Sequence, residues 1–143
     1  MKFSTASFLS FGAFAALSLF ASSAEAKISH ISVPEQAIPG QNITLTLTSQ
    51  SYIQNWDDFG AILGLVRQGN ECETCLGQEV GYINLYKNDT LGNSTHDVTL
   101  PETDAGQYTF VVAIPYLVGA SGVTGINYFN QSITLTSSAK MRV

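Results

Sequence analysis

The sequence predicts an all-β domain folded as a two-sheet sandwich, and three observations predict it. Apolar and polar residues alternate with period two along most of the chain, no stretch sustains a 3.6-residue period, and turn signals recur between the alternating runs. Successive side chains in a strand point to opposite faces, so this alternation marks sheets with one buried face. The chain of 143 residues is long enough for one domain and too short for two once a leader is subtracted.

That leader is read over residues 1–26. Lys2 provides a short positive start, Phe8 to Phe20 is an apolar run, and Ala24-Glu25-Ala26 has the small-x-small form that signal peptidase cleaves, which places Lys27 at the mature N-terminus. The apolar run falls short of the roughly 20 residues that span a bilayer, so a cleaved secretory signal is expected rather than an anchor, and no membrane insertion. Residues 27–143 then form a single sandwich domain.

Seven strands are expected within it. The first is 28–33. In the second, 42–49, Ile43, Leu45 and Leu47 point one way and Thr44, Thr46 and Thr48 the other. The third and fourth are 60–66 and 79–86, set apart by Gly69-Asn70. In 95–100, His96, Val98 and Leu100 alternate with Asp97 and Thr99. The sixth, 106–115, is nearly continuous in apolar residues, as a central strand covered on both faces would be. The seventh, 128–136, turns Ile133 and Leu135 inward. Seven short strands in a chain of this length indicate two packed sheets.

Asp104-Ala-Gly106-Gln-Tyr108 opens the sixth strand, and D-x-G-x-Y at that place resembles the tyrosine corner of immunoglobulin-like domains. Two residues beyond the tyrosine, where an antibody domain has a cysteine, stands Phe110, so an apolar plug is expected in place of an inter-sheet disulfide. The fold class is therefore an immunoglobulin-like β-sandwich.

Charge and composition narrow the function. The net charge is −5, with six basic and eleven acidic residues and no basic cluster. Nucleic acid and anionic membrane surfaces both require a cationic footprint, so neither is an expected partner. Four sequons, at Asn42, Asn88, Asn93 and Asn130, fit a secreted glycoprotein. Cys72 and Cys75 are the only cysteines, and in a secreted chain they should be oxidised. A thioredoxin-like redox pair needs a following helix, which Gly77 and Gly81 argue against, and nearby Glu71, Glu73 and Glu79 would raise a thiol pKa. A small structural disulfide is the reading preferred.

No catalytic constellation stands out, and neither a metal nor a cofactor is expected. His30 and His96 are isolated, and no serine sits in a nucleophile-elbow context. Asp57-Asp58 and Glu102/Asp104 could in principle supply a glycosidase pair, but adjacent loop carboxylates are more often solvated. A binding protein, with a monomer as the expected state, is favoured over an enzyme.

Two segments suit binding. Ser51 to Phe59 places Tyr52 and Trp56 beside Asp57 and Asp58, and Ala113 to Gly125 is a long apolar, glycine-rich connection containing Tyr116, Leu117 and Val118. In an immunoglobulin-like topology both connections lie at the same end of the sandwich. Either these residues face outward as a contact surface, or Trp56 and Leu117 fold inward as core plugs.

Three strings carry a closer resemblance: Tyr52-Ile-Gln-Asn-Trp-Asp-Asp-Phe-Gly60, Cys72-Glu-Thr-Cys75 followed by Gly81-Tyr-Ile-Asn-Leu85, and Ala113-Ile-Pro-Tyr-Leu-Val-Gly-Ala-Ser-Gly122. Together they resemble the necrosis-inducing secreted protein family of effectors from plant-infecting fungi, over nearly the whole mature chain and in the same order. The resemblance implies a non-enzymatic virulence factor that suppresses pattern-triggered immunity by binding and inhibiting receptor-associated and cytoplasmic immune kinases, and that can provoke host cell death. It implies secretion into the host apoplast, with the host cytoplasm as a further site of action. It carries no residue-level kinase site, so Tyr52, Trp56, Asp57, Asp58, Tyr116, Leu117 and Val118 are contacts expected on physical grounds. The alternative is a wall-associated carbohydrate-binding module, which would stack sugars on Trp56 or Tyr52.

Overall fold

The computed structural model describes residues 25–137. Of the expected leader, residues 1–24 lie outside them, and Glu25 and Ala26 already belong to the first strand. Nine strands run in order: β1 (Glu25–Ser32), β2 (Gln36–Ala37), β3 (Asn42–Tyr52), β4 (Trp56–Asp58), β5 (Gly60–Arg67), β6 (Gln78–Asn84), β7 (Gly92–Thr99), β8 (Gly106–Val118) and β9 (Val123–Leu135). The seven expected strands are all present. β2 and β4 are additional, too short for any periodicity to reveal.

The strands form two sheets, a smaller one ordered β1-β3-β7 and a larger one ordered β2-β9-β8-β5-β6, with β4 also paired to β8. β2 joins β9 in parallel, and all the other pairings are antiparallel. The chain therefore changes sheets between β1 and β2. At that crossing the Gln131 carboxamide holds Val33, accepting from its N–H at 3.0 Å and donating to its carbonyl at 2.7 Å. A side chain thus satisfies backbone groups that neither sheet pairs.

Inward-facing residues of both sheets make one core, including Ile43, Leu45 and Leu47 from β3, Leu63 and Leu65 from β5, Phe110, Val112 and Ile114 from β8, and Ile133 and Leu135 from β9. Parity is broken once in β1: a register shift between Ile28 and His30 turns both Ile28 and Ile31 inward although they stand three apart. Phe110 is completely buried, the apolar plug expected where antibody domains place a cysteine. The tyrosine corner is formed as well. The Tyr108 hydroxyl donates to the Asp104 carbonyl at 2.8 Å and lies 3.0 Å from the Thr103 hydroxyl.

Cys72 and Cys75 are joined in a disulfide with their Cα atoms 5.0 Å apart. Their loop lies against the outer face of the larger sheet, where a Cβ on Gly64 would collide with the Leu76 carbonyl oxygen. Only a bare backbone at Gly64 allows the loop to approach so closely.

Candidate functional site

The two expected binding segments do meet at one end of the sandwich, but as strands rather than loops. Trp56, Asp57 and Asp58 pair with Val118, Leu117 and Tyr116. β4 thereby extends β5 along β8, with the break at Phe59, whose N–H donates to the Pro115 carbonyl at 2.9 Å. The expected long loop from Ala113 to Gly125 is corrected in the same way. It is a continuous β8–β9 hairpin whose turn covers only residues 119–122, and Gly119 (φ 76°) and Gly122 (φ 69°) take the left-handed conformation that the turn needs. The residues on both sides of Gly119 to Gly122 pair with one another, which is why the glycine-rich stretch shrinks to four residues.

Trp56 lies at the centre of this end. It is 5% exposed, its ring stacks on Tyr116 at 4.3 Å and meets the edge of Tyr52 at 4.9 Å, and the Lys27 ammonium stands 4.1 Å from its centroid. Its Nε1–H donates to Asp58 Oδ1 at 2.7 Å, and the Ile28 N–H donates to Asp58 Oδ2 at 2.8 Å. Asp58 sits on the larger sheet and Ile28 on the smaller, so this carboxylate ties the two sheets together. Burial pushes the Asp58 carboxyl above its ordinary value of 3.8, against the two hydrogen bonds; Asp89 adds to the rise and Lys27 opposes it. Asp89 is also raised by burial, opposed by a hydrogen bond from the Ser49 hydroxyl at 2.7 Å, and its Oδ2 is buried without a partner among the described residues.

These contacts settle what the cluster can do. Both Asp58 oxygens are occupied by hydrogen bonds from Trp56 and Ile28, so the carboxylate holds the frame. Trp56, covered by Tyr116, Tyr52 and Lys27, offers no open face on which a sugar ring could stack. Of the expected contacts, Asp57, Tyr52, Tyr116, Leu117 and Val118 keep partial exposure, while Trp56 and Asp58 are internal. His30 is exposed on β1, and His96 lies 3.1 Å from the Ser94 hydroxyl on β7, both apart from this end. Among the described residues no three His, Cys, Asp or Glu side chains gather as a metal would require.

Two exposed apolar side chains at this end lie outside the contacts expected from the sequence. Ile53 is 98% exposed at the β3–β4 turn, and Val123 is 56% exposed at the foot of β9. The Gly119 N–H donates to the Asn55 carbonyl at 3.0 Å, which fastens the β3–β4 turn to the hairpin tip. Continued β3 parity would have turned Ile53 inward with Ile43, Leu45 and Leu47; the turn flips it to solvent. An isoleucine set in Ser-Tyr-Ile-Gln-Asn, among residues that form turns, was the available signal.

The architecture is that of an immunoglobulin-like sandwich whose one end is a packed aromatic frame bearing a small apolar tip. The chain belongs to the Nis1 family, whose model matches residues 24–134. Necrosis-inducing secreted protein 1 of Colletotrichum higginsianum (strain IMI 349063) is 32% identical over 124 residues, which cover 85% of each chain. The protein of the same name from Colletotrichum orbiculare (strain 104-T) is 26% identical over 124 residues, covering 85% of this chain and 76% of that protein. Among solved structures, a superoxide reductase (neelaredoxin) from Ignicoccus hospitalis superposes with a TM-score of 0.51 at 12% identity, covering 80% of this chain and 85% of that one. At that identity the likeness is one of fold alone.

Proposed function

We propose that this chain is a secreted fungal effector that works by binding. It suppresses plant pattern-triggered immunity by occupying and inhibiting receptor-associated kinases, and it shares the necrosis-inducing capacity for which its relatives are named. Membership of the Nis1 family over residues 24–134 is the observation that carries this reading. The tip geometry supports it: exposed apolar side chains on a frame that needs no reordering lose little entropy on docking. The host apoplast receives the protein, and kinase contact takes place on the cytoplasmic side. The test is a titration of the oxidised secreted protein against plant co-receptor kinase domains, with phosphorylation followed in parallel. Saturable binding with reduced phosphorylation is expected. Absence of affinity for every co-receptor kinase domain overturns the kinase reading.

A further inference from the structure

All four sequon asparagines are exposed, but their surroundings differ. The Asn42 and Asn93 carboxamides accept hydrogen bonds from the Thr99 and Thr48 hydroxyls, at 2.5 and 2.8 Å. Asn88 stands two residues after Tyr86, yet that ring is already engaged: it stacks on Phe59 at 5.1 Å, and the Lys87 ammonium lies 5.2 Å from its centroid. Asn130 stands two residues after Tyr128 in the middle of β9. Phe129 packs against the core, so strand alternation turns Tyr128, Asn130 and Ser132 outward together.

Register places Tyr82, Ile62, Ala113 and Tyr128 in one row across β6, β5, β8 and β9. Tyr82 is 60% exposed and Tyr128 is half-buried, whereas Ala113 and Val111, the latter directly opposite Asn130, point to the same face but are already buried among their neighbours. A tyrosine ring stands at each end of the row, and Asn130 lies immediately beside the Tyr128 end.

We propose that Asn130 carries an N-linked glycan whose first N-acetylglucosamine lies on the half-buried ring of Tyr128, at the end of this row. The transfer joins Asn130 Nδ2 to the anomeric carbon of a lipid-diphosphate-linked oligosaccharide. The anomeric C–O bond to phosphate breaks, the lipid diphosphate leaves, and the amide proton passes to a base of the transferase. Side chains two apart on one strand face are separated by about 7 Å, within reach of the first sugar. A pyranose presents a face of C–H groups, and the electron-rich face of a tyrosine ring attracts such positively polarised hydrogens. The hairpin tip lies some seven residues away along β9, about 23 Å, so the glycan covers the sheet and leaves Ile53 and Val123 free.

The inference rests on the secretory route proposed above and not on kinase binding. The full chain is expressed in yeast, and the secreted protein is mapped by mass spectrometry after peptide-N-glycosidase treatment, which converts an occupied asparagine to aspartate. Conversion at Asn130 is expected. Enzymatic deglycosylation is then expected to lower Tm by about 4 °C, the scale of a single ring contact in a domain of this length. The drop should persist in Tyr128→Phe and vanish in Tyr128→Leu. Secreted protein with Asn130 unconverted overturns the inference alone, as does a Tm drop that is equal in Tyr128→Leu. A chain retained in the cell with residues 1–26 attached overturns the secretory reading and this inference with it.

Discussion

The two ends of the sandwich each fasten an aromatic ring with a polar contact, and they do so by different means. At the corner end, the Tyr108 hydroxyl reaches a backbone carbonyl four residues upstream. At the tip end, Trp56 and Ile28 both donate to one buried carboxylate, and Trp56 is held between Tyr116 and Tyr52. The first tie is neutral and local. The second is charged, buried and assembled from four separate strands. The tip end should therefore be the costlier to disturb, and its buried carboxyl should make it respond to pH.

Trp56→Ala should give the largest loss, about 3–5 kcal/mol, since it removes a buried ring and leaves Asp58 Oδ1 without its donor. Urea denaturation of the purified protein measures it. Kinase binding by this variant should fall only as far as folding does; binding lost from a fully folded variant would mean that Trp56 itself touches the partner.

Asp58→Asn comes next, at about 2 kcal/mol, because the amide turns a donor toward a donor. It also tests the charge. The folded carboxyl has a raised pKa, so the native state binds its proton more readily than the unfolded chain does. Stability should therefore rise as pH falls through the folded value toward 3.8, and decline as pH climbs back through that window. Asp89 is raised in the same direction and contributes with the same sign. Melting curves between neutral and mildly acidic pH should show the rise in wild type and less of it in Asp58→Asn. Equal slopes would show that Asp58 is not its source. Tyr108→Phe should cost only about 1 kcal/mol, with the wild-type pH dependence intact.

The same contrast explains how far the sequence could be read. The corner occupies five consecutive residues, and its geometry follows from their spacing, so Asp104 to Tyr108 is recognisable from the sequence. The seven longer strands are legible for a similar reason, since alternation is a local pattern. The tip is only half legible. Topology brings Ser51–Phe59 and Ala113–Gly125 to one end, but whether Trp56 faces solvent or core depends on a three-residue strand pairing with the far end of β8. No local pattern encodes that pairing. In sequence Asp57-Asp58 look like two equivalent loop acids; strand alternation separates them, leaving one half-buried and the other internal.

The smallest expected effect on stability belongs to Ile53, and it separates frame from surface most cleanly. Its side chain is almost wholly in water, so Ile53→Asp removes no core contact and should shift unfolding by no more than about 0.5 kcal/mol. If the tip is the docking surface, the same change places a charge where an apolar contact is desolvated, and affinity for the kinase domain should drop at least about tenfold. Gln54→Ala, the control at the same turn, removes only an exposed polar side chain and should bind nearly as wild type does. Unchanged affinity in Ile53→Asp would move the contact off the tip and onto the partly exposed edge of Tyr52, Asp57 and Leu117, while leaving the frame as described.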